Sequence, residues 1–113
     1  MLPRSNRLKK DNDFKAVFKN GRVLRGTLAD IWITPNGLEL NRFGFIAGLK
    51  VSKKAVIRNR ARRQLAEVFK EQSGRMENGL DIVVIAKPLI VGKSQKEISD
   101  DIGKNFKKIN LSG

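Results

Sequence analysis

Leu80 to Ala86 reads as a nearly continuous apolar, β-branched run closed by Lys87-Pro88. Such a run fits a strand buried on both faces, in the middle of a sheet, better than an edge strand. Its neighbours lie upstream. From Thr27 to Thr34 the pattern has period two, with Ala29, Ile31 and Ile33 to one side and Leu28, Asp30, Trp32 and Thr34 to the other. Pro35-Asn36-Gly37 is a turn signal, and Arg42 to Leu49 follows as another strand. These two segments read as an antiparallel pair. Gly44 and Gly48 in the second of them mark either a close approach by a partner's backbone or a bulge. A further strand fits either Lys50 to Ser52 or Arg22 to Gly26, and the pattern does not choose between them.

Three amphipathic helices complete the set. In the first, Asp11 serves as cap and Asp13 suits the first turn. Phe14, Val17 and Phe18 fall at i, i+3 and i+4, and Gly21 stands where a C′ glycine would. The second, Val51 to about Gln72, carries Ile57, Ala61, Leu65, Val68 and Phe69 on one stripe, with Ser52 as N-cap and Gly74 as stop. In the third, Ser94 and Glu97 have capping-box spacing, and Ile98, Ile102, Phe106 and Ile109 share a face. The result is an α+β sandwich, helices against a small sheet. With 113 residues and no repeat it is a single domain, residues 1–113, with a basic arm at 1–10 and a tail at 111–113.

Lys and Arg number 24 against 11 Asp and Glu, a formal net charge of +13, so a polyanionic partner is the first expectation. The chain has neither Cys nor His, which removes disulfide scaffolds, Cys/His zinc sites, thiol nucleophiles and Ser-His triads together. No apolar run is long enough to span a membrane, and the N-terminus lacks a signal-peptide core, so no membrane partner and a cytoplasmic location are expected. The acids are scattered. Asp30 or Asp100-Asp101 are the only metal candidates, and surface acids without a metal role fit them better. No catalytic and no metal-binding residue is therefore expected in the protein itself.

The cations concentrate on the second helix. Lys50, Lys53, Lys54, Arg58, Arg60, Arg62 and Arg63 occupy a stretch with no acid. They crowd the N-terminal half, where the helix dipole is positive and each such charge costs about 0.3–1 kcal/mol. A solvated charged face would mix signs and place acids there. Bound phosphates reverse both terms, because the helix N-terminus and its arginines then form one anion site. Arginine is also preferred to lysine within the helix, which suits forked contacts with phosphate and base edges.

This stretch, Lys53-Lys54-Ala55-Val56-Ile57-Arg58-Asn59-Arg60-Ala61-Arg62-Arg63, resembles the arginine-asparagine-arginine signature of the bacterial ribonuclease P protein subunit. Pro3-Arg4, Arg7-Leu8-Lys9-Lys10, Asp13-Phe14, Val17-Phe18 and Gly21-Arg22 are similar to that family's N-terminal segment. Arg42-Phe43-Gly44-Phe45 and Asp81 to Pro88 resemble two of its strands. Three positions depart from the family pattern. Ala66 precedes Glu67 where a further arginine is common, Gly48-Leu49-Lys50 replaces Ser-Lys-Lys, and Lys87 stands where arginine is usual.

The resemblance implies the order α-β-β-β-α-β-α with a left-handed βαβ crossover through the basic helix, a ribosomal protein S5 domain 2-like arrangement. It also implies the small subunit of a ribozyme, ribonuclease P. The RNA subunit removes the 5′ leader of precursor tRNA by Mg²⁺-dependent cleavage, with Mg²⁺ held by the RNA–substrate complex. The expected partners are ribonuclease P RNA and precursor tRNA, with no obligate protein partner, and the protein alone is expected to be inactive. By position, Lys53, Lys54, Arg58, Asn59, Arg60, Arg62 and Arg63 would contact the RNA subunit. Phe14, Phe18 and Trp32, with Lys50 and Lys87 adding charge, would line the leader cleft. For Phe14 and Phe18 the alternative is plain core packing; for the whole chain it is another structured-RNA binder, such as a ribosomal protein.

Overall fold

The computed structural model describes residues 7–8, 11–72 and 79–111, and for 105–111 the backbone alone. The elements are α1 (Asp11–Asn20), β1 (Arg22–Leu24), β2 (Ala29–Pro35), β3 (Arg42–Ile46), α2 (Ala55–Gln72), β4 (Leu80–Ala86) and α3 (Gln95–Leu111), with a short 3₁₀ turn at Pro88–Ile90. The unplaced strand is thus the Arg22 alternative. Most of the basic arm, the stop at Gly74, the side chains of Phe106 and Ile109 and the last two residues lie outside the described residues.

The sheet order is β1-β2-β4-β3. β4 is central, as its composition requires, and Ile82, Val83 and Val84 are fully buried. It runs antiparallel to β2 along its whole length and parallel to β3. The expected antiparallel pair of β2 and β3 is therefore corrected. The two strands are antiparallel in direction but not adjacent, because β4 enters between them. A strand apolar on both faces gains most from the central slot, and that outweighs a local turn signal. The turn itself forms: Gly37 has φ 73°, and Asn36 Oδ1 accepts the Leu38 N–H at 2.7 Å. β3 also ends at Ile46, short of Leu49.

Alternation along the strands feeds two layers. Ala29, Ile31, Ile33, Phe43, Ile82 and Val84 face α2 and α3, meeting Leu65, Val68, Phe69, Ile98 and Ile102 in the main core. On the other face Val83 packs under Leu8 and Val17, with Phe14, Trp32, Ile46 and Ile85 partly buried around them. One ten-residue helix, α1, is the main cover for this second face. α1 crosses the sheet obliquely: Phe14 lies over Gly44 of β3, and Phe18 reaches Trp32 of β2.

Three local expectations change. Gly21 has no positive φ; it is needed because a Cβ would sit 2.4 Å from the Val17 carbonyl oxygen and 2.8 Å from that of Ile33. Asp11 is the first helical residue rather than the cap. α2 begins at Ala55, so Ser52 is not its N-cap; the Ser52 hydroxyl instead accepts the Lys54 N–H at 3.1 Å in the preceding turn. The Ser94–Glu97 capping box forms as expected, with Glu97 N–H to Ser94 Oγ at 3.1 Å and Ser94 N–H to Glu97 Oε2 at 2.7 Å. The Glu97 carboxyl is held below its ordinary pKa, chiefly by the Ser94 N–H.

Candidate nucleic-acid interface

The first two turns of α2 gather the cations. The stripe Ala61-Leu65-Val68-Phe69 goes into the core, which leaves Lys53, Lys54, Asn59, Arg60 and Arg63 exposed and Arg58 and Arg62 half-buried. No acid lies in the first turn. Two of these side chains are partly engaged within the protein. Arg58 donates from Nη1 to the Ser52 and Lys53 carbonyls, both at 3.0 Å, which ties the helix to the loop before it. Arg62 donates to Asn59 Oδ1, one turn back. Arg60 and Arg63 point outward.

Asn59, Arg62 and Arg63 form one wall of a groove of about 590 Å³ that opens along β3. The opposite wall is Arg7 and Leu8, whose N–H bonds to the Phe43 carbonyl at 2.8 Å, and the floor is Phe43, Gly44 and Phe45. Phe14 closes the end. Gly44 is corrected on both alternatives: Phe14 lies over it, with Cε1 2.3 Å from where a Cβ would be, and it pairs in unbroken register with Val83, so it marks neither an open approach nor a bulge.

The aromatic candidates therefore separate. Phe14 belongs to the groove beside the basic helix. Phe18 and Trp32 meet on the α1 face, centroids 5.4 Å apart and interplanar angle 88°, an edge-to-face pair. Trp32, Ile46 and Ile85 remain partly exposed beside α1, because a single short helix does not cover the width of four strands.

Lys50 is exposed in the loop after β3, and Lys87 follows β4 at the same end of the sheet. Lys87 is not a free cation. Its Nζ lies 3.1 Å from Asp30 Oδ1 and donates to the Gly26 carbonyl at 2.6 Å. Asp30, 8% exposed, also accepts Arg25 Nη1 at 3.0 Å and the Gly26 N–H at 3.2 Å. Burial works against the Asp30 charge, but the hydrogen bonds from Lys87, Gly26 and Arg25 outweigh it, and its pKa falls below the ordinary value. Arg25, absent from the sequence-derived candidates, stands 6.0 Å from the Trp32 ring centroid. The signal for it is Asp30 itself: a carboxylate inside an apolar strand requires a cation nearby.

Among the described residues no three Asp, Glu, His or Cys side chains converge as a metal site would require. Asp30 is saturated by cations, and Asp101 Oδ2 accepts the Leu28 N–H at 3.3 Å. No described helix is long and apolar enough to cross a membrane.

The sequence matches the family model described as Ribonuclease P over residues 2–110. Among curated relatives, the ribonuclease P protein component of Alkaliphilus oremlandii is 39% identical over 106 residues, covering 94% of this chain and 92% of the relative. That of Syntrophomonas wolfei is 40% identical over 111 residues, covering 98% and 92%. The solved RNase P protein from Thermotoga maritima superposes with a TM-score of 0.82 at 27% identity, covering 91% of this chain and 96% of that one.

Proposed function

The chain belongs to the ribonuclease P protein family, and from that membership we propose a division of labour between its two polar surfaces. As the protein subunit of ribonuclease P, a tRNA-processing enzyme, it associates with the ribonuclease P RNA. The relatives favour this over another structured-RNA binder such as a ribosomal protein. In our reading the N-terminal half of α2, with Lys53, Lys54, Arg58, Asn59, Arg60, Arg62 and Arg63, and the groove at its foot hold the RNA subunit. The partly open α1 face, with Phe18 and Trp32, holds the single-stranded 5′ leader of precursor tRNA, and Lys50 adds charge at its end.

The observation that carries the second assignment is the exposed remainder of the α1 face. Trp32 is partly exposed, edge-stacked by Phe18 and flanked by Arg25. An aromatic platform beside a cation is what a sequence-tolerant binder of unpaired bases requires, each stacked base contributing about 1–3 kcal/mol. Catalysis in this reading belongs to the RNA, with Mg²⁺ held by the RNA–substrate complex, and the particle works in the cytoplasm.

Reconstitution tests it. Protein alone should leave precursor tRNA intact, and protein with RNA subunit and Mg²⁺ should remove the leader by a single endonucleolytic cut. Cleavage by rigorously RNA-free protein would overturn the assignment of catalysis to the RNA.

A further inference from the structure

Lys87 is one of the two cations that the family resemblance assigns to the leader, yet its ammonium is held by Asp30 and the Gly26 carbonyl. Arg25 shares the same carboxylate but remains available. Its side chain is 68% exposed, and only Nη1 is tied, which leaves Nε and Nη2 without a partner among the described residues. Two cations against one carboxylate leave a single net positive charge at this corner of the face. That charge sits over the Trp32 ring, 6.0 Å from its centroid, and Phe18 meets the same indole edge-to-face.

A base stacked on this aromatic pair brings its own phosphodiester within reach of a cation held that close to the indole. A guanidinium already fixed there by a buried carboxylate loses less side-chain entropy on binding, and its free edge matches phosphate as a fork. We propose that Arg25 is a phosphate-binding residue of the α1 face, with Asp30 as the positioning residue that holds it beside Trp32, so that one linkage of the stacked strand is gripped at a defined place. This deepens the leader-binding reading and rests on it.

The experiment uses the reconstituted holoenzyme and precursor tRNAs that carry one neutral methylphosphonate at successive leader linkages. With the parent protein, one linkage should show a clear loss of affinity on neutralisation. Arg25→Ala should weaken leader-bearing substrate roughly 10-fold, lower the salt slope by about 0.7, and erase the sensitivity at that linkage. Arg25→Lys, which keeps the charge but not the fork, should recover part of the affinity and a blurred linkage profile. Asp30→Asn should blur the profile similarly while Arg25 is still present. Mature tRNA should bind all variants like the parent. An unchanged linkage profile in Arg25→Ala overturns the inference, as does equal loss for mature tRNA. Trp32→Ala separates the two levels: if it weakens leader binding while Arg25→Ala does not, only the inference falls. If neither variant matters, the leader-binding reading falls with it.

Discussion

Arg42 and Asp81 face each other across the parallel β3–β4 ladder and close a two-pronged ion pair, Nε to Oδ1 at 2.8 Å and Nη2 to Oδ2 at 2.7 Å. Asn36 Nδ2 donates to the same carboxylate at 2.9 Å, so the turn after β2 is tied to the same point. The Asp81 hydrogen bond raises the Arg42 pKa above its ordinary value. Arg42 is thereby a structural cation in a chain whose other arginines mostly face outward.

Removing one half of this partly buried pair should be costly. Asp81→Ala leaves Arg42 with only Asp13, 3.7 Å from its Nη1, and should lower stability by about 1–3 kcal/mol in urea unfolding. Arg42→Met combined with Asp81→Val should be more stable than Asp81→Ala, since the half-compensated guanidinium is gone and the Asp13 carboxylate that it leaves is partly solvated.

Arg60→Ala with Arg63→Ala should leave unfolding unchanged within about 0.5 kcal/mol, because both side chains are exposed on α2. Filter binding to the RNA subunit should weaken, and the slope of log K against log salt should drop by about 1.8 if both contact duplex phosphates. Arg58→Ala should behave differently. It also loses two hydrogen bonds to loop carbonyls and should show a stability loss of about 0.5–1.5 kcal/mol.

Gly44→Ala would place a Cβ 2.3 Å from Phe14 Cε1 and 2.6 Å from Cζ, so the ring has to leave the end of the groove. The expected cost is about 1–3 kcal/mol in thermal or urea unfolding. Phe14→Ala in the same protein removes the clash. The double variant should therefore be more stable than the sum of the single changes, by a coupling of about 0.5–3 kcal/mol.

Asp30 carries a pH signature. Its folded pKa is depressed, so its contribution is complete above the unfolded carboxylate value and disappears as pH falls through the folded one. Asp30→Asn should cost about 1–3 kcal/mol near neutrality. The gap in Tm between parent and variant should narrow below about pH 4 and close once the folded carboxyl is protonated. Melts across that range check it; a gap that widens in acid contradicts the sign.

Elements defined by their own composition were legible in the sequence. Leu80–Ala86 is apolar on both faces and sits at the centre; Ala29, Ile31 and Ile33 alternate into the main core; Ser94 and Glu97 form their box. Strand order was not legible. The turn at Asn36-Gly37 is a local signal, while the neighbour of β2 is decided by a strand far along the chain. The basic helix announced itself through charges at the wrong end of a dipole. The aromatic set did not resolve, because spacing on α1 cannot show that the helix crosses the sheet obliquely and delivers Phe14 and Phe18 to different places. The pairing of Arg25 and Lys87 with Asp30 was not legible either, since it brings together residues of different strands and loops.

The central position of β4 also sets an order of events during synthesis. Among the described residues, a nascent chain that stops before Leu80 holds β2 with only the three-residue β1 beside it, and β3 with only the bridge from Arg7. Both strands wait for a shared neighbour that leaves the ribosome later than either. Closing that gap means joining segments far apart in the chain before any contact rewards it, so folding is completed in one late, slow step. Until then the clustered lysines and arginines keep the unpaired strands of different copies apart. Completion then creates both proposed binding surfaces at once, because the β3 groove and the Trp32 face share Leu80–Ala86 as the strand that separates and supports them.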